Sequence, residues 1–197
     1  MQPAPEGTRQ QILAAAFETL REDGFAAATS RAVAARGGFN PALVFYYFGT
    51  VDALLLAALD WTSERRLAAY REALANAGTV ADVVAAAAQL YGEDRESGHI
   101  DVVSQMIAGS VARPELAPEM TARMQPWVEL CEEVVERTVA GTPLAGVPAR
   151  DLAYAIVTFY LGANLLTHID PAGAGADVLA SRLVELEPLL AGLFGGG

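Results

Sequence analysis

The stretch TSRAVAARGGFNPALVFYYFGTVDAL, residues 29–54, has the pattern of two short helices joined by a glycine turn. Thr29 is a good N-cap for the first helix, and Gly38, which can take a positive φ, belongs to the glycine pair that stops it. Asn40 then caps the second helix, with Pro41 at its first position, where a missing N–H is harmless. The stretch is therefore predicted to be a helix-turn-helix.

In a helix-turn-helix, the N-terminal residues of the second helix contact base edges in the DNA major groove, and the first helix crosses the backbone. The outward face of this second helix is too apolar and aromatic for a merely solvated surface. Such side chains suit thymine methyl groups, and a tyrosine hydroxyl suits phosphate. The competing interpretation is a plain pair of packed helices, because several of these residues have core spacing. The DNA-binding candidates are Thr29, Ser30, Arg31, Asn40, Pro41, Ala42, Leu43, Phe45, Tyr46, Tyr47 and Thr50.

The first quarter of the chain resembles the tetracycline-repressor (TetR) family of transcriptional regulators. The family pattern is a T-R-x-x-I-h-x-A-A helix, then T-x-R-x-I-A-x-x-A-G-V, then a recognition helix ending in Y-x-Y-F and a basic residue before A-L. The chain departs from this pattern at Val51, where a lysine usually contacts a phosphate. It matches the pattern at Thr8, Arg9, Ile12, Ala15, Ala16, Gly24, Phe25, Thr29, Arg31, Val33, Ala34, Gly38, Phe39, Phe45, Tyr47, Phe48, Asp52, Ala53 and Leu54.

The resemblance implies an all-α homodimeric repressor, whose small-molecule effector changes the separation of two heads and so releases operator DNA. We expect a three-helix DNA-binding head over residues 1–50 and a larger helical ligand-binding and dimerisation body over residues 51–197. One two-fold axis would relate the heads, so the operator is expected to be a pseudo-palindrome in double-stranded DNA.

The body is expected to hold the effector, because bundle interiors lined by aromatic side chains with few polar groups suit small apolar ligands. Ordinary core or surface placement is the competing interpretation for every residue proposed there. The ligand-binding candidates are Tyr91, Gln105, Met106, Trp127, Cys131, Phe159, Tyr160, Asn164 and His168.

Apolar periodicity, caps and Pro or Gly breaks predict about nine helices in all. Pro126 is expected to kink the seventh. The resemblance implies that the last two pair with their symmetry mates in a four-helix interface, and the alternative is a monomeric body that hides both. Outside the helix-turn-helix, the helices are expected at about residues 8–22, 51–75, 80–95, 99–111, 118–140, 149–168 and 177–194.

The net charge of −11 is the strongest objection to DNA binding, because basic patches normally supply affinity for phosphates. Residues 1–60 carry four Arg against six Asp and Glu, and the chain has no Lys. The head must therefore use arginines, hydroxyls and helix N-termini for phosphate contacts. This leaves an alternative function open, a helical ligand-binding or protein-interaction dimer whose head no longer reads DNA.

Composition also indicates where the chain works. The single Cys131 excludes an internal disulfide framework, and the N-terminal residues lack the charged and apolar regions of a signal peptide. A cytoplasmic protein is therefore expected. Residues 152–169 carry no formal charge and approach the length of a membrane span, but their polar side chains favour a buried helix and no membrane association.

Catalytic motifs are scarce. Glu96 and His99 have the E-x-x-H spacing by which helical bundles hold di-iron sites. Such a site needs a second motif, and His168, the other histidine, has Leu165 three residues before it. We therefore expect no enzyme, metal or cofactor, and keep a metal-dependent enzyme as the weaker alternative.

Overall fold

The computed structural model describes residues 6–169, which form helices and turns with no strand in that range. This confirms the all-α class. Short 3-10 turns lie at Phe25–Ala27, Pro114–Leu116 and Pro143–Gly146. The ninth expected helix, at residues 177–194, lies outside the described residues. The eight α-helices are α1 (Glu6–Asp23), α2 (Ser30–Gly37), α3 (Ala42–Phe48), α4 (Val51–Leu74), α5 (Val80–Ser97), α6 (His99–Ala112), α7 (Ala117–Thr138) and α8 (Ala149–Ile169).

The helices begin and end where the sequence provides caps. The Thr29 hydroxyl accepts from the Ala32 amide at 3.2 Å, and Gly38 ends α2 in the left-handed region with φ of 69°. Thr79 and Asp82 cap α5 reciprocally, since each side chain accepts from the other residue's amide. Local capping chemistry therefore explains why these boundaries agree with the sequence.

The chain divides into two compact units, each built from two sequence segments. The first comprises Met1–Arg65 and Gly98–Arg123, and the second comprises Arg66–Ser97 and Met124–Gly197. Helices α4 and α7 each contribute residues to both units. The boundary expected after residue 50 concerns function and stays a prediction, whereas the first compact unit also takes in half of α4 and all of α6.

The first unit has a large apolar core. One apolar face of α1 is buried in this core, and α4 and α6 also contribute side chains to it. Gly109 lets α6 approach closely, because a Cβ there would lie only 2.4 Å from the Phe25 ring. Burial of one large apolar side chain contributes about 1.5–3 kcal/mol, so this cluster dominates the stability of the unit. Its least exposed members include Ile12, Leu13, Leu20, Val33, Val44, Leu54, Leu55, Val102 and Met106.

The second unit has a smaller core, made of Tyr70, Leu74, Ala77, Leu90, Leu130 and Val134 with half-buried neighbours. Helix α7 continues through Pro126. Helix α8 does not meet the expectation of a buried helix, because much of its apolar surface is exposed and only three of its residues are buried. Among the described helices it is also long and apolar enough to span a membrane by length and composition, a test that core helices of soluble proteins also pass. Its exposed apolar residues are Tyr154, Ile156, Phe159, Leu165, Leu166 and Ile169.

Candidate functional site

The helix-turn-helix presents most of its predicted contacts to solvent. Phe45 and Tyr46 on α3 are 51% and 52% exposed, although both are large aromatic side chains. The polar candidates at the start of α2 are Thr29 and Arg31, which are exposed, and Ser30, which is half-buried. The remaining exposed candidates are Asn40, Ala42 and Thr50, and Pro41 and Leu43 are half-buried.

Two of these polar side chains already serve the local fold. The Asn40 Oδ1 accepts from the Ala42 amide at 2.9 Å, and α3 begins at Ala42, one residue after the position expected from Pro41. The Thr50 hydroxyl accepts from the Ala53 amide at 3.0 Å and caps α4. Both side chains are therefore held in fixed positions at the ends of α3.

Tyr47 differs from the other DNA-binding candidates. Its ring packs against the first-unit core and makes edge contacts with Tyr46 and Phe48, at centroid distances of 5.2 and 6.3 Å. Its hydroxyl is buried and has no hydrogen-bond partner among the residues described. In this conformation Tyr47 therefore offers no group to phosphate, which its core spacing in the sequence had already signalled.

The arginines of the head differ in how firmly they are held by acids. Arg36 binds Glu22 at 2.6 Å and Asp23 at 2.7 Å, and Arg21 binds Glu18 at 2.6 Å. The hydrogen bond from Arg36 lowers the pKa of Glu22 below its ordinary value, so this pair stays charged at neutral pH. Arg31 is exposed and makes no ion pair within residues 6–169. Arg31 is thus better placed than Arg36 to meet DNA.

Val51, where the family pattern has a lysine, is half-buried and packs against the core of the first unit. The next residue, Asp52, pairs with Arg113, whose guanidinium also lies 5.0 Å from the Phe25 ring centroid. The start of α4 is therefore fixed by packing and an ion pair.

The nine ligand-binding candidates are divided between the two compact units. Met106 is fully buried in the core of the first unit, and the Gln105 side chain accepts from the Phe25 amide at 3.1 Å in the same unit. Helix α6 packs against α1, so its inward face completes the head core instead of lining the second unit. These two residues belong to the first unit and the other seven to the second, and their role in ligand binding stays a prediction.

The other seven candidates belong to the second unit but differ in burial. Tyr91 and Asn164 are buried, while Phe159 and His168 are exposed. The His168 ring nitrogen Nδ1 lies 2.9 Å from the Asn164 carbonyl oxygen, so this i, i+4 pair joins through the backbone of Asn164. Burial raises the pKa of the Cys131 thiol to about 11, and it is neutral at physiological pH. The remaining two, Trp127 and Tyr160, are half-buried.

Tyr70 and Tyr160 bind a buried carboxylate that the sequence analysis missed, and Trp127 and Tyr91 pack on these two tyrosines. Asp94 on α5 is 1% exposed. The Tyr70 hydroxyl donates to its Oδ2 at 2.7 Å, the Tyr160 hydroxyl donates to the same oxygen, and Arg66 pairs with Oδ1. Asp94 thus brings α4, α5 and α8 together within the second unit. The available signal was its spacing from Leu90, which puts an acid on the inward face of α5.

The rings in this cluster meet at right angles. Tyr70 and Trp127 have a centroid distance of 5.2 Å, and Tyr91 and Tyr160 have one of 5.0 Å. Burial, together with the negative charge of Asp94, raises the pKa of the Tyr70 hydroxyl, and burial likewise raises that of Tyr160. Both phenols are therefore neutral donors to Asp94 at physiological pH. We call Asp94, Arg66 and these four aromatic residues the Asp94 cluster.

The residues of the proposed E-x-x-H motif do not form a metal site in the described range. Gly98 takes the left-handed conformation and ends the helix between Glu96 and His99. His99 is buried, with Nδ1 3.0 Å from the Thr62 hydroxyl. No group of three or more His, Cys, Asp or Glu suited to a metal occurs among the residues searched, which are the described ones.

Comparisons with known proteins agree with the helix-turn-helix. The sequence profile of the family described as "Bacterial regulatory proteins, tetR family" matches residues 12–58. The transcriptional regulator UidR of Escherichia coli K12 is 29% identical over 117 residues, which span 59% of each chain. The regulator BetI of Stenotrophomonas maltophilia is 41% identical over 51 residues, 26% of each chain. The chain thus aligns with well under two thirds of these relatives.

Solved structures extend the similarity of fold to nearly the whole chain. GusR of Salmonella enterica has a TM-score of 0.72 at 21% identity and covers 98% of both chains. A transcriptional regulator from Saccharomonospora viridis in complex with choline has a TM-score of 0.77 at 15% identity, covering 92% of this chain and 96% of its own. These relatives are transcriptional regulators and not enzymes. Residues 12–58 thus match the DNA-binding segment of the TetR family of bacterial regulatory proteins, and the all-α fold is the one that these solved structures share.

Proposed function

We propose that this protein is a DNA-binding transcriptional repressor that a small molecule releases from its operator. The observation that carries the proposal is the exposed aromatic face of α3, formed by Phe45 and Tyr46, in a helix-turn-helix whose α2 carries the exposed Arg31. The rings suit thymine methyl groups, and the guanidinium suits a guanine edge or a phosphate. A regulator of this kind works in the cytoplasm, where its DNA lies.

The proposed DNA-binding form is a homodimer joined through the last two helices. The exposed apolar side chains of α8 support this proposal, because a surface of that kind is typical of an interface. Two heads related by a two-fold axis would read half-sites in successive major grooves of a pseudo-palindrome.

The dimer can be tested on the free protein. Leu166 on α8 is 62% exposed, so Leu166→Glu should leave the monomer folded while placing a charge in the interface. We expect sedimentation velocity to show a dimer for the original chain and a monomer for Leu166→Glu. The control is Ala85→Glu, an exposed position on α5 of the same unit, which should stay dimeric. A monomeric original chain, or a dimeric Leu166→Glu, would contradict the interface.

The competing proposal is a ligand-binding or protein-interaction dimer whose head does not read DNA. It is favoured by the acidic partners of Arg21 and Arg36 and by Val51, which packs where the family pattern has a phosphate-binding lysine. Both proposals share the fold and the dimer. They differ in whether the exposed face of α3 has a DNA partner.

Footprinting and salt-dependent gel shifts on the chain's own promoter distinguish the two. The repressor proposal predicts symmetric protection of two half-sites, with affinity that falls as salt rises. Tyr46→Ala should weaken this binding, whereas Gln89→Ala, at an exposed position on α5 outside both proposed interfaces, should not. Protection of one asymmetric half-site by a monomer, or no protection at low salt, would overturn the proposal.

The effector is proposed to be a small molecule held in the second unit. The choline complex of the S. viridis regulator supports this, because it shows that a protein of this fold can hold a small molecule. The aromatic side chains of the Asp94 cluster are the surface in this chain most suited to such a ligand.

A further inference from the structure

The Asp94 cluster contains a buried charge that an apolar core does not need. Replacing buried ion pairs by well-packed apolar residues is often neutral or stabilising, so burial of Asp94 with Arg66 is weak evidence for a purely structural role. The two oxygens of Asp94 are also treated differently. Oδ2 accepts from two tyrosine hydroxyls, whereas Oδ1 and the Arg66 Nε are in ion-pair contact without a hydrogen bond of normal geometry.

The surroundings of this carboxylate have the chemistry of an organic-cation site. Aromatic faces attract ammonium and guanidinium groups through the ring quadrupole, and aromatic cages are used to bind quaternary ammonium ligands. The guanidinium of Arg66 already uses this chemistry, since its central carbon lies 5.6 Å from the Tyr70 ring centroid. The Arg66 guanidinium thus occupies the position, beside Asp94 and the Tyr70 ring, that a cationic ligand would take.

Arg66 has a second set of partners nearer the surface. Its Nη1 donates to the Glu93 Oε2 at 3.0 Å, and its Nη2 donates to the Leu90 carbonyl oxygen at 3.1 Å. The side chain of Glu93 is 45% exposed, in contrast to the enclosed Asp94. Arg66 can therefore leave Asp94 and keep charged and neutral hydrogen-bond acceptors.

We propose that the Asp94 cluster binds a small organic cation, and that Arg66 occupies the site until the cation displaces it toward Glu93. This rests on the proposed function, because it names the chemical class of the effector. A neutral ligand that displaced Arg66 would leave Asp94 buried without a counter-charge. The class therefore differs from the apolar effector that the sequence suggested.

The exchange gives the effector direct contact with α4. Arg66 and Tyr70 lie on α4 and both hold Asp94 of α5, and α4 is one continuous helix that begins at Val51, three residues after the end of α3. Displacing Arg66 removes one of the two side chains by which this part of α4 holds Asp94. The same helix carries residues of the first unit, so the site is placed to influence DNA binding.

The test measures binding without DNA, so that its failure is separate from failure of the repressor proposal. Calorimetry and thermal melting use benzyltrimethylammonium chloride as the probe. Benzyl alcohol provides a neutral aromatic control, and sodium chloride at the same ionic strength provides a salt control. We expect the probe alone to release or absorb heat saturably and to raise the melting temperature. Equal effects from benzyl alcohol, or no saturable binding of the probe, would overturn the proposal.

Variants test the exchange itself. Asp94→Asn keeps the shape but removes the charge, so probe affinity should fall about tenfold or more. Glu93→Gln removes the negative charge of the second partner of Arg66 and should weaken binding of the probe several-fold. The control Glu96→Gln, an exposed acid on the same helix, should change nothing. Unchanged affinity in Asp94→Asn would overturn the site, and equal results for Glu93→Gln and Glu96→Gln would overturn the exchange.

Arg66→Met should change probe affinity in the opposite direction, because it removes the side chain that competes with the probe for Asp94. Its probe affinity should rise above that of the original chain, and the probe should raise its melting temperature more. If Arg66→Met does not fold, Tyr160→Phe keeps the ion pair but removes one donor to Asp94, and it should bind the probe no more weakly than the original chain. Weaker binding in whichever of these variants folds would contradict the inference.

Discussion

The two compact units differ in where their charged side chains lie. In the first unit the core is apolar, and every charged side chain with described burial is at least partly exposed. In the second unit Asp94 lies in the interior with two tyrosine hydroxyls and Arg66, while α8 turns apolar side chains outward. The first arrangement suits recognition at a surface supported by a rigid core. The second suits a response to a molecule that enters.

The largest effect should come from breaking the buried pair of the second unit. Arg66→Met leaves the Asp94 carboxylate uncompensated, and loss of one partner of a buried pair costs about 3–5 kcal/mol. Adding Asp94→Leu to the same variant should recover most of that stability. Denaturant unfolding checks both. The control Arg65→Met, an exposed neighbour on α4, should change stability by at most about 0.5 kcal/mol, as at other surface sites.

If Arg66→Met lowers the free energy of unfolding no more than Arg65→Met does, the buried ion pair contributes little to the stability of the second unit. The two units would then differ in where their charged side chains lie, but not in how much those side chains contribute to stability. Full recovery in the double variant, by contrast, would show that the pair is retained for something other than stability.

Truncation of a core side chain should cost more stability in the first unit than in the second. Leu20→Ala removes a fully buried side chain and should cost about 2–5 kcal/mol. Leu90→Ala in the second unit should lie near the lower end of that range, because half-buried neighbours can move into the space. The chain has two tryptophans, Trp61 in the first unit and Trp127 in the second. Replacing one of them by Phe leaves the other as a fluorescent probe of unfolding in its own unit. Equal losses would contradict the difference in packing.

Local structure was well predicted because its causes are local. The caps Thr29, Thr50 and Thr79 and the left-handed Gly38 act within a few residues, and the sequence shows them directly. The described helix boundaries agree with the predicted ones to within two residues at most ends. The exposed aromatic face of α3 was predicted for the same reason, since the period of a short helix assigns inward and outward positions.

Long-range partners were not predictable in this way. Asp94 meets an arginine and a tyrosine from α4 and a second tyrosine from α8, and nothing in the spacing of α5 indicates those partners. Met106 was assigned to the ligand site because periodicity marks it as inward but cannot say which core its helix completes. The sequence left two expectations for α8, a buried helix and half of a symmetric interface, because its apolar residues cover more than one face, and its exposed side chains agree with the second.

A smaller effect should follow from Arg31, an exposed head arginine that makes no ion pair within residues 6–169. If Arg31 reads a guanine, Arg31→Ala should cost about 1–3 kcal/mol of operator binding and relax the preference at one base pair per half-site. Gel shifts with a panel of single-base operator variants check this. The matched control is Arg36→Ala, whose guanidinium binds Glu22 and Asp23 and should contribute little to base preference.

If Arg31→Ala weakens binding equally on every operator variant, the Arg31 side chain contacts a phosphate and not a base. A larger loss of binding for Arg36→Ala than for Arg31→Ala would contradict the role inferred from their ion pairs. It would also show that the surface chemistry of the first unit rearranges when DNA binds.

The smallest effect concerns Val51, where packing and phosphate contact compete for one position at the start of α4. In Val51→Lys the aliphatic stem can keep part of the packing while the ammonium reaches outward. Each dimer would gain two phosphate contacts, so the slope of log K against log salt should steepen by about 2. A cation at a helix N-terminus is also disfavoured by about 0.3–1 kcal/mol, so the free protein should melt slightly lower.

The control Val51→Met keeps an apolar side chain of similar length without the charge, and it should leave the salt slope unchanged. Melting and operator binding are therefore measured on both variants. A slope that steepens only in Val51→Lys would show that the head docks with the start of α4 near the DNA backbone. An unchanged slope, with the expected loss in melting temperature, would mean that this position faces away from the phosphates and that Val51 serves only the apolar core of the first unit.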